Sequence, residues 1–167
     1  MLIGVLSDTH DRPGPAATAL RLLREQGAEF IIHCGDVGSE PVLDLLAGLP
    51  VALVWGNTDW DGRPLTRYAE GLGVRCLPGP VGELELGGKR IAVSHGDDAR
   101  AMRQVLDDQR HDYLLCGHTH VANDQRVGKV RVINPGALHR ARHKTVALLD
   151  TEADRVSFVT VEEGVKG

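Results

Sequence analysis

The chain has 167 residues, a formal net charge of −4 and 42% hydrophobic residues, values typical of one soluble globular domain. No apolar run approaches the roughly 18 residues of a membrane-spanning helix, and residues 1–5 lack the positive charge that precedes a signal peptide core. The cysteines Cys34, Cys76 and Cys116 form no CxxC pair, which predicts reduced thiols and a cytoplasmic location. The acidic balance argues against a general nucleic-acid binder.

The front half of the chain alternates short apolar runs with helical patterns. Buried strands are predicted at residues 2–6, 30–34 and 51–55. A helix is predicted at residues 15–26, where apolar residues recur at helical spacing before Gly27. A second helix begins after Ser39 as N-cap and ends near Gly48. This alternation predicts βαβ units and a parallel sheet.

The back half is richer in strands. Predicted strands lie at residues 81–86, 89–94, 113–116, 124–127, 130–134, 144–150 and 155–161, with one helix at 98–109. Gly87-Gly88 and Gly128-Lys129 are hairpin signals. Because no linker or charge run divides the chain, we predict a single domain over residues 1–167, with frayed ends at 162–167.

Five of the predicted strands are followed directly by Asp, Asn or His. These residues are Asp8, His10, Asp36, Asn57, His95, His118 and His120. Ligands bind at the carboxyl ends of strands in open α/β sheets, so we expect these side chains at one edge. Oxygen and imidazole donors without a thiolate suit Mn²⁺, Fe, Zn²⁺ or Ni²⁺. Seven donors suit two ions, with Asp36 as the natural bridge, and such a pair activates water against phosphorus.

The ordered motifs resemble the calcineurin-like metallophosphoesterase superfamily, in particular its small single-domain phosphodiesterase branch. The motifs are Asp8-Thr-His10, Gly35-Asp36, Gly56-Asn-Thr-Asp59, His95-Gly96, Gly117-His-Thr-His120 and Asn134-Pro-Gly-Ala137. The resemblance implies an α/β fold, a four-layer α/β/β/α sandwich with mixed parallel and antiparallel sheets. It also implies a tendency to form homodimers or larger homo-oligomers.

The resemblance further implies a site with two divalent transition metal ions, Mn²⁺ foremost and Fe, Zn or Ni as alternatives. One ion would be held by Asp8, His10, Asp36 and His120, and the other by Asp36, Asn57, His95 and His118. A hydroxide that bridges the ions would attack the phosphorus of a small phosphodiester or nucleotide. Asp59, Asn57 and His118 are the implied catalytic residues.

The sequence departs from the family pattern at three positions. Thr58 stands where many members have a histidine that assists the leaving group, and threonine is no useful general acid near neutral pH. We therefore expect modest turnover and a preference for good leaving groups. Asp97 follows His95-Gly96 where relatives often have histidine, and Ala137 replaces a serine.

Several residues outside the motifs carry weaker expectations. His33 precedes the Gly35-Asp36 motif and is a candidate support for the metal ligands. The basic run at residues 139–144 is either a solvated turn or a phosphate-steering segment, and His111 is expected on the surface. Trp55 is expected in the core, and Trp60 beneath the adjoining loop, with stacking on a base as the alternative.

Three other functions remain alternatives at this stage. A nuclease acting on DNA or RNA would use the basic run and Trp60, although the net charge disfavours tight polyanion binding. A phosphomonoesterase would use the same two ions, and a non-catalytic scaffold of the retromer type would have the same fold. The complete ligand set argues against the scaffold.

Overall fold

The computed structural model of the chain describes residues 1–59 and 62–162. Trp60 and residues 163–167 lie outside the described residues, so the expectations about them are not addressed. In chain order, the elements are β1 (Leu2–Leu6), α1 (Pro13–Glu25), β2 (Phe30–His33), α2 (Glu40–Asp44), β3 (Val51–Leu53), α3 (Gly62–Gly71), β4 (Arg75–Cys76), β5 (Val81–Leu86), β6 (Lys89–Ser94), α4 (Ala99–Asp108), β7 (Tyr113–Leu115), β8 (Asn123–Val127), β9 (Val130–Asn134), β10 (Thr145–Asp150) and β11 (Arg155–Thr160).

The strands form two mixed sheets. The first has the order β11-β10-β1-β2-β3-β4, and the second has the order β5-β6-β7-β9-β8. In the first sheet β1, β2, β3 and β4 are parallel, as βαβ alternation predicts, while β10 and β11 are antiparallel to their neighbours. In the second sheet β6, β7 and β9 are parallel, and the two predicted hairpins supply the antiparallel edges.

The core has three apolar layers, which makes the fold the expected α/β/β/α sandwich. Side chains that alternate along the strands point to opposite faces: Ile91 and Val93 of β6 pack between the sheets, whereas Ala92 packs towards α4. The layer between the sheets also includes Ile3 and Val5 of β1. A third layer joins the first sheet to α1, α2 and α3.

Local structure departs from the sequence prediction in the first half of the chain. The sequence predicts no element between residues 56 and 80, where the structure has helix α3 and the two-residue strand β4. Pro64 lies in the first turn of α3, where proline is tolerated. Helix α2 ends at Asp44, earlier than the expected Gly48. Ser39 occupies the N-cap position, but its hydroxyl donates to Asp11 rather than capping the helix.

Two further observations concern His111 and the length of the helices. His111 is buried, which corrects the expectation of a surface position, and its Nε2 lies 3.0 Å from Glu83 Oε1. Among the described residues, no helix is both long and apolar enough to cross a membrane.

Candidate metal centre

The predicted site residues converge where the carboxyl ends of strands from both sheets meet. Asp8 and His10 follow β1, Asp36 follows β2, and Asn57 follows β3 in the first sheet. His95 follows β6, and His118 and His120 follow β7 in the second sheet. The site therefore spans two sheets, which differs from the single edge that the strand pattern alone predicts.

One group of donor atoms surrounds Asp8. His120 Nε2 lies 3.1 Å from Asp8 Oδ1, and His10 Nε2 lies 3.6 Å from the same oxygen. The two imidazole nitrogens are 3.4 Å apart. His10 Nε2 also lies 3.4 Å from Asp36 Oδ2, so that four side chains face one small volume.

A second group of donor atoms lies on the other side of Asp36. His95 Nε2 is 3.3 Å from Asp36 Oδ2 and 2.9 Å from Asn57 Oδ1. His118 Nδ1 is 3.2 Å from Asn57 Oδ1 and 3.3 Å from His95 Nε2. Asp36 Oδ2 thus lies between His10 and His95 and is common to both groups.

The donor set fits divalent transition metal ions in chemistry and spacing. Ligands about 2.1 Å from one ion stand about 3.0–3.4 Å apart in octahedral or tetrahedral arrangements, close to the separations above. Two triads have atoms within 4.8 Å of one another, namely Asp8 with His10 and His120, and Asp8 with Asp36 and His95. The buried Asp8 Oδ1 accepts no hydrogen bond from the described residues, which leaves a lone pair for an ion.

The backbone at the site adopts an unusual conformation. Five of the seven predicted ligands have left-handed φ angles between 43° and 69°, namely Asp8, His10, Asp36, His118 and His120. Non-glycine residues adopt this region at a cost, and such residues cluster at functional sites. The folded chain therefore holds these residues where each loop turns sharply to present a side chain.

Two glycines permit the loops to approach closely. A Cβ atom at Gly56 would lie 2.1 Å from Asp36 Oδ1, and one at Gly117 would lie 2.7 Å from Asp8 Oδ2. Any larger residue at either position would displace a carboxylate. The glycines of these motifs are thus part of the geometry of the site.

Two residues of the Gly56–Asp59 loop support the centre differently. The Thr58 amide donates to Asp36 Oδ1 at 2.9 Å, while the residue itself is exposed. Asp59 is buried, and its carboxylate accepts backbone N–H groups of Gly56, Val37 and Gly38 at 2.7–3.2 Å. Both Asp59 oxygens are therefore engaged in joining two loops.

His33 lies beneath the centre in a fully buried hydrogen-bond chain. The Gly35 amide donates to Nδ1 at 3.1 Å, so Nε2 carries the proton and donates to Thr9 Oγ1 at 3.0 Å. Thr9 in turn donates to the Val37 carbonyl at 2.8 Å. Burial lowers the pKa of His33 to about 3, with a further contribution from His95. The neutral ring thus ties the loop that follows β1 to the loop that follows β2.

The electrostatics of the centre favour positive charge. His95 Nδ1 donates to the Cys34 carbonyl at 2.9 Å, which fixes the ring and turns Nε2 towards Asp36. Histidines that bind metal ions are commonly held by such a hydrogen bond from the other ring nitrogen. Burial alone would lower the pKa of His95, but the hydrogen bonds to Asp36 and Cys34 raise it to about 9. Burial opposes ionisation of Asp36, yet hydrogen bonds from His95 and Thr58 hold its pKa well below the usual range.

Asn134, from the Asn134-Pro-Gly-Ala137 motif, and His139, from the basic run, also lie at the centre. Asn134 Nδ2 donates to the Gly117 carbonyl at 2.9 Å and to Thr119 Oγ1 at 3.0 Å, which anchors the loop that bears His118 and His120. The His139 ring lies 5.4 Å from the His10 ring, measured between centroids. The contact of Asn134 is long-range in sequence and carries no local signal, whereas the basic run had drawn attention to His139.

Comparison with known proteins identifies the family of the chain. The family model for the calcineurin-like phosphoesterase superfamily domain matches residues 1–154. Phosphodiesterase MJ0936 of Methanocaldococcus jannaschii is 26% identical, with 97% of this chain and 100% of the relative covered. The solved structure of an archaeal phosphodiesterase superposes with a TM-score of 0.88 at 25% identity, covering 96% of this chain and 99% of that one.

A more distant structure shares the fold alone. Zn²⁺-complexed Vps29 of Entamoeba histolytica has a TM-score of 0.65 at 18% identity, covering 97% of this chain and 100% of that one. The match of the family model over most of the chain is decisive. The chain belongs to the calcineurin-like phosphoesterase superfamily and is a metal-dependent phosphoesterase.

Proposed function

We propose that the protein is a dinuclear-metal-dependent phosphodiesterase that hydrolyses small phosphodiesters or nucleotides. The position of Asp36 is the observation that supports this most, because its Oδ2 lies 3.4 Å from His10 Nε2 and 3.3 Å from His95 Nε2. A carboxylate common to two donor groups is what two adjacent ions require. When bound, such ions neutralise phosphoryl oxygens and lower the pKa of the attacking water.

We assign the two donor groups to separate ions. Asp8, His10, Asp36 and His120 would hold one ion, and Asp36, Asn57, His95 and His118 would hold the other. The distances within each group support this division. The ions are divalent transition metals, with Mn²⁺ preferred and Fe, Zn or Ni as alternatives, since all suit imidazole and carboxylate donors.

The remaining catalytic roles fall to three residues of the loops. Asn57 and His118 are exposed, so they are the site residues placed to touch the phosphoryl oxygens of an arriving substrate. Asp59 acts as a positioning residue, because both its oxygens accept backbone N–H groups. Thr58 provides no general acid, so we propose that good leaving groups are preferred.

The domain organisation, the cellular location and the oligomeric state are also proposals. The chain forms a single metallophosphoesterase domain over residues 1–167, supported by the apolar layer shared by both sheets. We propose a cytoplasmic protein, because Cys34, Cys76 and Cys116 are all free thiols. We also propose a homodimer, consistent with the exposed Phe158 on edge strand β11; light scattering in solution would measure the mass.

A nuclease is the second candidate, supported by the exposed Arg140, which follows His139 beside the centre, and by the exposed Arg142 two residues further on. Digestion of single- and double-stranded DNA and RNA over a salt series tests it, and the absence of cleavage at every ionic strength would remove it. A phosphomonoesterase would use the same ions, and a monoester substrate in parallel distinguishes it. A retromer-type scaffold would lack hydrolysis altogether.

The decisive activity experiment uses bis(4-nitrophenyl) phosphate as an activated diester. Purified protein loaded in turn with Mn²⁺, Ni²⁺, Zn²⁺ and Fe²⁺ should hydrolyse it, chelation should abolish the activity, and Mn²⁺ should restore it. Failure of every metal-loaded form on both diester and monoester substrates would refute the proposal.

A further inference from the structure

A segment outside the metal ligands is held against the centre by main-chain contacts. The Leu138 amide donates to the Asp8 carbonyl at 3.3 Å, and the Leu138 side chain is fully buried. The next residue, His139, therefore lies beside His10, with ring centroids 5.4 Å apart and planes inclined by 55°. Arg140 follows in a left-handed turn with a φ of 50° and is exposed. The turn thus places the His139 ring, followed by Arg140, at the rim of the centre.

A second arginine, Arg12, belongs to the chain segment that carries His10. Arg12 follows the loop that carries Asp8 and His10, and its amide donates to the Thr9 carbonyl at 3.0 Å. Burial lowers the pKa of His139, and the nearby charges of Arg12, His10 and Arg140 add to this effect. Arg12 and Arg140 thus come from separate loops to the neighbourhood of the paired His10 and His139 rings.

These two guanidinium groups are available to a ligand. Among the described residues, no carboxylate forms an ion pair with Arg12 or Arg140, whereas Arg21 and Arg126 each have one such partner and Arg131 has two. The adjacent acid, Asp11, accepts the hydroxyl of Ser39 instead. Guanidinium groups bind phosphate oxygens through forked, charge-assisted hydrogen bonds.

We propose that Arg12, His139 and Arg140 form a subsite for a second phosphate group on the substrate, next to the His10 side of the centre. The inference rests on the proposed phosphodiesterase function and narrows its substrate class. The substrate would be a phosphodiester that bears an additional phosphate, such as a nucleotide phosphorylated at a second position. Ions held by the two donor groups would engage the diester, and the three side chains would orient the other end of the molecule.

Binding measurements test the subsite independently of catalysis. Calorimetry on metal-loaded protein compares thymidine 3′,5′-bisphosphate with thymidine 5′-monophosphate, and we expect about tenfold tighter binding of the bisphosphate, the size of one added charge-assisted contact. In the Arg12→Gln/Arg140→Gln variant this ratio should fall below about twofold. Arg24→Gln, an exposed arginine at the far end of α1, should retain the wild-type ratio.

Activity measurements then separate the two proposals. Thymidine 5′-(4-nitrophenyl phosphate), with and without a 3′-phosphate, offers one leaving group with two charge states. We expect the 3′-phosphate to lower KM about tenfold, with the advantage lost in the double variant. Equal binding of both nucleotides by wild type, or an unchanged ratio in the double variant, would overturn the subsite. If neither ester is hydrolysed while the arginine-dependent binding ratio persists, the subsite stands and the proposed function fails.

Discussion

Two clusters of charged side chains in this molecule are assembled on different principles. In the Arg131 cluster, Arg131 makes two 2.8 Å hydrogen bonds to Asp124 and one of 2.9 Å to Asp154. Arg126 also pairs with Asp154, and Tyr113 donates to it at 2.9 Å. The two carboxylates are thus balanced by two guanidinium groups of the same chain.

The metal centre has the opposite character. Its carboxylates, Asp8 and Asp36, are more deeply buried than those of the Arg131 cluster, yet no Lys or Arg of the described residues pairs with either. They face imidazole nitrogens and an amide oxygen, all of which also bind cations. Buried charge is costly unless cations balance it, so the difference separates a cluster balanced by guanidinium groups of its own chain from one whose carboxylates and imidazoles are arranged as donors that metal ions can bind.

The largest expected effect is the loss of the shared carboxylate. Asp36→Asn should lower diesterase activity on the order of a thousandfold, because the water-activating ion pair is disrupted, and should reduce metal content below two ions per chain. Asp124→Asn is the matched control in the other cluster and should stay within about twofold of wild type. Elemental analysis with steady-state kinetics provides both values, and an Asp36→Asn protein with two ions and a tenth of the activity would contradict the assignment.

A gain of function is expected at Thr58. Thr58→His should raise turnover of diesters with poor leaving groups about tenfold or more, because a general acid becomes available. The amide bond to Asp36 involves the backbone and survives the substitution, whereas the hydrogen bond from the Thr58 side chain to Asp36 is lost. Rates with alkyl and 4-nitrophenyl leaving groups are compared, and little change is expected for the latter. An unchanged or lower rate on the alkyl ester would count against our explanation of Thr58.

Metal removal should destabilise the fold. An ion present at about 1,000 times its Kd contributes about 4 kcal/mol to folding, which corresponds to a Tm decrease of about 8–16 °C on chelation for a chain of this size. Differential scanning calorimetry with and without chelator measures the shift. Chelation should shift the Tm of Asp36→Asn much less, and equal shifts in both proteins would show that the stabilising ions bind elsewhere.

The smallest effect concerns the Arg131 cluster and is pH-dependent. Hydrogen bonds from Arg131 hold the pKa of Asp124 and, against burial, that of Asp154 below the ordinary value. The stabilisation is therefore present above about pH 4 and is lost as pH falls through the lowered values. Arg131→Gln should lower the free energy of unfolding by about 1 kcal/mol at pH 7, since the cluster is partly exposed, and by less at pH 2. Urea titrations at pH 7 and pH 2 measure the loss of unfolding free energy in the variant. A loss that is independent of pH would contradict the pairing.

The convergence of the seven side chains follows from local signals in the sequence. A strand that ends in Asp, Asn or His brings the residue to the carboxyl edge whatever the remaining fold, and both hairpins follow from their glycine turns. The separation of the site between two sheets was not evident from the strand pattern alone. It depends on the pairing of β6 with β7 and of β1 with β2, and these contacts are long-range.

Other features depend on contacts that no local pattern encodes. His111 is buried and contacts Glu83, 28 residues away. Asp59 accepts from amides of a loop 21 and 22 residues away. Helix α3 is not predicted, because a proline in the first turn of a helix gives no signal that distinguishes the helix from a loop. Tertiary packing decides each of these cases.

Anomalous diffraction from crystals of Mn²⁺-loaded protein tests the central claim most directly. We expect two peaks about 3.5–4 Å apart, one on each side of Asp36 Oδ2, with Asp8, His10 and His120 around one and Asn57, His95 and His118 around the other. A single peak, or two peaks that do not share Asp36, would contradict the dinuclear centre.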